Sequence, residues 1–358
     1  MSNFKEVISH FNIDRSAVSY GDGHINDTYL IEVTPSRYIL QKINTAIFKN
    51  PAELMENIEA VTAHLAEEIK KTGGNPKRET LMLVKTTDGK SYYKSSDDEY
   101  FRMYNFVEDT VTYQSAQKPG QFYAAAKAFG LFQKRLSAFP AEKLFETIPD
   151  FHNTVKRFKD FKEAVDNDIK GRKKDVLPEI EFALSRESFT GIITDALDKG
   201  EIPTRVTHND TKLNNVLFDK DTDEAICVID LDTVMPGSLL YDFGDSIRFG
   251  ASSGAEDEKD LDKIYCRLDY FEAFAKGFLE ALGDDITKKE LELLPISAKM
   301  MTYECGIRFL GDYLNGDTYF KTHYADQNLD RARTQFKLVA DMENKMDEMN
   351  MIIDRLAK

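Results

Sequence analysis

The sequence predicts an α+β chain of two lobes, an antiparallel sheet with one helix followed by a mostly helical lobe. Three observations carry this. Strand-like runs with period-two alternation crowd the chain up to Asn105. From Lys118 onward, helical periodicity dominates, and only 202–250 interrupts it with strand-like segments. The length, 358 residues, favours two domains or lobes over a single core.

The elements follow in order. Phe4, Val7, Ile8 and Phe11 share one face of a short helix over 3–12, which Asn12-Ile13-Asp14 ends. Two strand-like runs, near Ala17–Tyr20 and Tyr29–Val33, flank a turn built on Gly21 and Gly23. Such a turn either brings backbone N–H groups close to phosphates or is a plain hairpin whose glycines supply positive φ. Tyr38–Ile43 is a third strand. Ile39 and Gln41 share one of its faces, Leu40 and Lys42 the other, so Lys42 is either a phosphate-binding cation or a solvated strand residue. A helix over 51–71 starts with Pro51 in its first turn and buries Leu54, Ile58, Val61 and Leu65. A hairpin pairs 81–84 with 90–94 around Asp88-Gly89, and 100–107 is the last strand of the sheet, so the lobe boundary falls near Asn105. Helices are then expected over 119–139, two or three times within 150–198, and over 256–283, 288–314 and 326–356.

The totals bound the function. Hydrophobic residues make up 42% and charged residues 30%, as in ordinary globular proteins, and no apolar run is long enough for a membrane helix. The net charge of −15 argues against nucleic acid as a partner. The first residues lack the apolar core of a signal peptide. Three widely spaced cysteines give neither a disulfide framework nor metal-ligand spacing, so a reducing cytoplasm is expected.

The chemistry concentrates in Val206–Phe218 and Val228–Asp232. His208-Asn209-Asp210 opens an H-x-D-x-x-x-x-N pattern that ends at Asn215, and an apolar strand then ends on Asp230. Asp210 precedes Asn215 by five residues and Asp230 by twenty. Phosphoryl transfer from a magnesium nucleotide needs one group to orient the attacking hydroxyl and two oxygen ligands for the metal. Protein kinases meet that need with the same spacing logic, which makes the expected architecture a two-lobe protein-kinase-like fold. Asp242-Phe243-Gly244 spells the kinase metal triplet, but it does not close an apolar strand. Asp242 and Asp245 are therefore read as caps or braces, with metal binding as the alternative.

Together with these motifs, Tyr20–Asn26, Tyr38–Gln41, Arg205–Asn215, Ile229–Gly237, Asp242–Gly250 and Glu304–Leu310 resemble the N-acetylhexosamine 1-kinases of the aminoglycoside phosphotransferase-like family. The likeness runs over nearly the whole chain. It implies ATP as phosphoryl donor, Mg2+ as cofactor, and a small sugar, N-acetylglucosamine or N-acetylgalactosamine, accepting at its anomeric hydroxyl. Residues 1–105 would be the nucleotide lobe and 106–358 the catalytic and sugar-binding lobe. By the same resemblance Asp210 is the catalytic base, with Lys212 beside it at the γ-phosphate. Asn215 and Asp230 are metal ligands. Gly21, Gly23, Asn26 and Thr28, with Tyr104 and Phe106 at the hinge, face the nucleotide. His24, Asp210, Arg308 and Tyr319 face the sugar. The family's phosphate-binding lysine falls at Gln41. Arg308 sits in an apolar helical run, where a cation needs an acidic partner or a polar ligand. Other small-molecule kinases of this fold, acting on amino alcohols or aminoglycosides, and a non-catalytic nucleotide-binding scaffold are the alternatives.

Overall fold

The computed structural model describes residues 4–20 and 26–358. Gly21, Gly23 and His24 therefore lie outside the described residues. The chain forms two compact units. The first comprises 1–112, 135–149 and 215–236, and the second 113–134, 150–214 and 237–358.

The first unit holds α1 (Phe4–Ser9) and the strands β1 (Ala17–Ser19), β2 (Asp27–Val33), β3 (Ser36–Ile43), β4 (Tyr93–Lys94) and β5 (Tyr100–Asn105). They form one antiparallel sheet in the order β1-β2-β3-β5-β4. Alternation divides its faces. Ile31, Leu40, Phe101 and Met103 pack with Val7, Ile8 and Phe11 of the α1 region. Gln41, Arg102 and Tyr104 have the opposite parity. Lys42 shares the parity of Leu40, opposite to Gln41, and pairs with Glu99 at 2.5 Å. Residues 81–84 do not form a hairpin arm with 90–94. Instead Val84 and Met82 bond the backbone of Met103 and Asn105, and only the bridge Leu83–Tyr104 forms.

Between β3 and β4 lie α2 (Pro51–Lys71), capped by the Asn50 side chain, and the short α3 (Pro76–Glu79). A second sheet of this unit joins β6 (Thr110–Val111) to the hairpin Val216–Asp219 and Ala225–Val228. Asn57 of α2 fixes the segment beyond that hairpin by donating to the Val234 carbonyl at 3.2 Å.

The second unit is helical. It contains α4 (Pro119–Arg135), α5 (Thr154–Asn167), α6 (Leu177–Leu184), α7 (Ile192–Asp198), α8 (Leu239–Gly250), α9 (Leu268–Leu282), α10 (Lys288–Asn315), α11 (Gln327–Asn344) and α12 (Met346–Leu356). α10 is central, packing on α5, α8 and α11. Its N-terminus carries a reciprocal capping box of Thr287 and Glu290. Glu290 also takes Arg205 at 2.6 Å, which anchors the strand Arg205–Thr207 leading to the H-x-D segment. Two helical expectations differ from the structure. Residues 256–267 are turns and a short 3-10 segment, so the helix starts at Leu268, and the long terminal helix breaks at Lys345.

Candidate active site

In the second unit, residues 208–211 follow the strand Arg205–Thr207 as a loop that buried carboxylates hold. Asp242 Oδ1 accepts from the Asn209 amide at 2.8 Å, and Oδ2 accepts from the His208 amide at 3.0 Å and from Gln133 Nε2 at 2.6 Å. Asp245 accepts from the Thr211 amide at 3.1 Å, and the Thr211 hydroxyl donates to the Asp242 carbonyl at 2.6 Å. His208 is buried with its ring edge-on to Phe129 and Phe132. Asn209 takes a left-handed φ of 65°, which turns the chain before Asp210. Asp242 and Asp245 are thus braces of this loop. Gly244 has its own reason to be glycine: a Cβ there would lie 2.5 Å from the Ser297 carbonyl oxygen, where α8 meets α10.

Asp210 is half-buried and paired with Lys212, whose Nζ lies 2.8 Å from Oδ1. That carboxylate, more than any other group, holds the lysine above its ordinary range and keeps it charged.

His152 went unnoticed in the sequence, where it precedes the Asn153 cap of α5 without any motif around it. It joins two parts of the unit. One ring nitrogen contacts the Asn209 carbonyl at 3.0 Å and the other contacts Glu304 Oε1 at 2.8 Å. Burial works to raise the Glu304 pKa, yet the His152 charge and hydrogen bond, aided by Arg308 and Thr154, hold it below the ordinary value. One helical turn after Glu304 stands Arg308. Its guanidinium faces three rings, Phe151, Phe320 and Tyr319, at 5.4, 5.6 and 5.8 Å. Among the described residues no carboxylate lies within ion-pair distance of Arg308 or of Arg157. Arg157 donates to the Phe151 carbonyl instead, and burial followed by the charge of Arg308 lowers its pKa. Tyr319 is 61% exposed, with its backbone amide fixed on Asp312. The unit also holds a cavity of about 470 Å3 lined by Gln117, Leu213, Arg248, Glu256 and Tyr270 among others.

In the first unit, Asn215 and Asp230 stand at one end of the hairpin. Val216 pairs with Val228, and the Ile229 amide donates to the Asn215 carbonyl at 2.9 Å. Asp230 has a left-handed φ of 59°, immediately after the strand. An amide oxygen and a carboxylate are hard donors that suit Mg2+, which takes the rest of its shell from water and phosphate. Asn26 donates to Asp232 at 2.5 Å, and the Thr28 hydroxyl accepts from Gln41 at 3.1 Å. Tyr104 is buried beside Arg102. Phe106 lies under the Arg37 guanidinium at 4.0 Å. The amides of Asn105 and Phe106 already donate to the Met82 and Arg37 carbonyls.

Residues 16–283 match the phosphotransferase enzyme family. Solved structures share the fold at low identity. An aminoglycoside phosphotransferase from Alicyclobacillus acidocaldarius aligns with a TM-score of 0.66 and 12% identity, covering 98% of this chain and 96% of that one. A microcompartment-associated aminopropanol kinase gives 0.60 and 14%, covering 97% and 98%. A spectinomycin phosphotransferase, solved with ADP and spectinomycin, gives 0.59 and 13%, covering 96% and 98%. Among the described residues, no helix is long and apolar enough to cross a membrane.

Proposed function

We propose, from the premise that this chain belongs to the phosphotransferase enzyme family, that it transfers the γ-phosphoryl group of ATP to the anomeric hydroxyl of N-acetylhexosamines. The products are the sugar 1-phosphate and ADP.

Asp210 accepts a hydrogen bond from the attacking hydroxyl and takes its proton as the new P–O bond forms. An anomeric hydroxyl is more acidic than an ordinary alcohol, so a carboxylate is base enough. Lys212, kept charged by Asp210, offsets the charge on the transferred group. Asn215 and Asp230 would hold Mg2+, which when bound neutralises the β- and γ-phosphate oxygens. The braced loop from His208 to Thr211 fixes Asp210, which matters because positioning supplies most of the rate in this chemistry.

The observation that carries the choice of acceptor is the pair Arg157 and Arg308. Two guanidinium groups that, among the described residues, have no carboxylate at ion-pair distance, beside an exposed tyrosine, suit an uncharged acceptor rich in oxygen. Hydroxyl and acetamide oxygens accept from arginine, and a sugar ring stacks on an aromatic face. A cationic amino alcohol or aminoglycoside would meet like charge there. His152 ties the arginine helix to the loop bearing Asp210.

A panel of acceptors with coupled ADP detection tests the reading. N-acetylglucosamine or N-acetylgalactosamine should give turnover well above choline, ethanolamine, spectinomycin and plain glucose. Turnover on a cationic acceptor alone would replace the sugar, and no turnover on any acceptor would revive a non-catalytic nucleotide-binding role.

A further inference from the structure

We propose that Arg102 is the positioning cation of the first unit's nucleotide site, and that it acts through Asp232 instead of touching phosphate. This rests on the reading above, in which that unit binds a magnesium nucleotide.

The starting point is a misplaced charge. Gln41 is neutral, and the nearby Lys42 has the opposite parity and is engaged by Glu99. A site for a polyphosphate with a divalent ion still requires compensating charge. Arg102 supplies a cation one strand away, directly opposite Gln41 in the β3–β5 register. Its Nε and Nη2 both donate to Gln41 Oε1, at 3.0 and 2.9 Å. Its Nη1 forms an ion pair with Asp232 Oδ1 at 2.5 Å.

These bonds close a ring. Asn26 donates to the other Asp232 oxygen at 2.5 Å, Thr28 follows two residues later and accepts from Gln41, and Gln41 holds Arg102. The ring fastens the start of β2 to the segment that carries Asp230. It is buried: Arg102 is 1% exposed, and Asp232 2%. A buried guanidinium pays a large desolvation cost unless its charge is matched. Here burial is outweighed by Asp232 first among the carboxylates, with Asp230 also in range, so the group stays charged. Asp230 and Asp232 alone would present two negative charges to a polyphosphate, and Arg102 cancels one of them.

That arrangement predicts signs that a structural strut would not. ADP affinity is measured by isothermal titration calorimetry in EDTA and again with Mg2+, on the full chain. In EDTA, Arg102→Gln should weaken ADP about tenfold or more, because Asp232 is left uncompensated. Arg102→Lys, which keeps the charge, should stay within about threefold of the wild type. Asp232→Asn should shift in the opposite direction and tighten ADP, because the cation is left unmatched. The double variant Arg102→Gln with Asp232→Asn should return to within about threefold of the wild type. An Arg102→Gln protein that folds and binds ADP as the wild type does would overturn the inference. So would a double variant as weak as the single one, since Arg102 would then act without Asp232. Should Arg102→Gln fail to fold, an unchanged or weakened affinity in Asp232→Asn overturns it instead. A wild-type chain that bound no ADP would overturn the nucleotide reading itself, and this inference with it.

Discussion

Asp242 offers the sharpest separation of two readings, because its triplet imitates a metal site while its contacts describe a brace. The side chain is 1% exposed and accepts from two backbone amides and from Gln133. Truncation in Asp242→Ala would leave three buried donors without an acceptor. At about 1–3 kcal/mol for each unsatisfied group, partly offset by no longer burying a carboxylate, the expected loss is about 3–6 kcal/mol. That is a large part of the roughly 5–15 kcal/mol that stabilises an ordinary domain. Asp242→Asn keeps one acceptor oxygen but turns an amide group toward donors, so about half that loss is expected. The measurement is urea unfolding of both variants beside a titration of turnover against Mg2+. A brace predicts lowered stability in both, with the Mg2+ midpoint of the surviving Asp242→Asn protein unchanged. An Asp242→Asn protein within about 0.5 kcal/mol of the wild type, with a raised Mg2+ requirement, would refute the brace and restore the metal reading.

Three further outcomes are expected. Asp210→Asn should lower kcat by about 10²–10⁴-fold while ADP affinity, measured by calorimetry, stays the same; full activity would remove Asp210 from the base role. Arg308→Gln should raise the KM for the sugar by about 10–100-fold, the worth of a hydrogen bond to a charged group, and leave the KM for ATP unaltered; the reverse pattern would move Arg308 to the nucleotide. The pKa of Glu304 is held below its ordinary value of 4.5, so its ionised form contributes stability above that value and loses it as pH falls through the lower folded value. The stability gap between wild type and Glu304→Gln, read as the difference in Tm, should therefore narrow as the solution is acidified below about pH 4.5; a gap that widened would contradict the His152–Glu304 contact.

The sheet was readable because its strands alternate. The parity of Tyr38–Ile43 alone separated Lys42 from Gln41, and the structure sets them on opposite faces. The region around Glu256–Lys263 misled for an equally physical reason. Its glutamates and lysines have good helix propensity, but Asp257 is engaged by Tyr324 and Gln327 from far along the chain, and Ser252 bridges Cys266. The break at Lys345 is also tertiary, since its Nζ reaches the Cys266 carbonyl as well as Asp341. Spacing singles out Asp210, Asn215 and Asp230 as candidates. It does not single out Arg102 and His152, because their partners Asp232 and Glu304 lie more than a hundred residues away and no local pattern marks either. The sequence calls for an acid or a polar ligand at Arg308, and in the structure its guanidinium faces three aromatic rings, with Glu304 one helical turn before it.

The loop that carries Asp210 shows how an acidic chain makes use of buried acid. Asp242 and Asp245 grip it through backbone amides, and Glu304 reaches it through His152. Each is buried, and each is costly there unless its oxygens are matched. They are matched by amides, a histidine, a threonine and Arg248, so the three carboxylates fix backbone geometry more firmly than hydrophobic contact could. Phosphoryl transfer leaves little covalent work to the protein, so Asp210 in the proposed role of base gains most from being held still. The half-buried Asp210 differs from them in being partly open to solvent, as is its partner Lys212, a third of whose side chain is exposed. A carboxylate paired that way can exchange its lysine contact for a hydroxyl, whereas Asp242 cannot release its amides without undoing the loop.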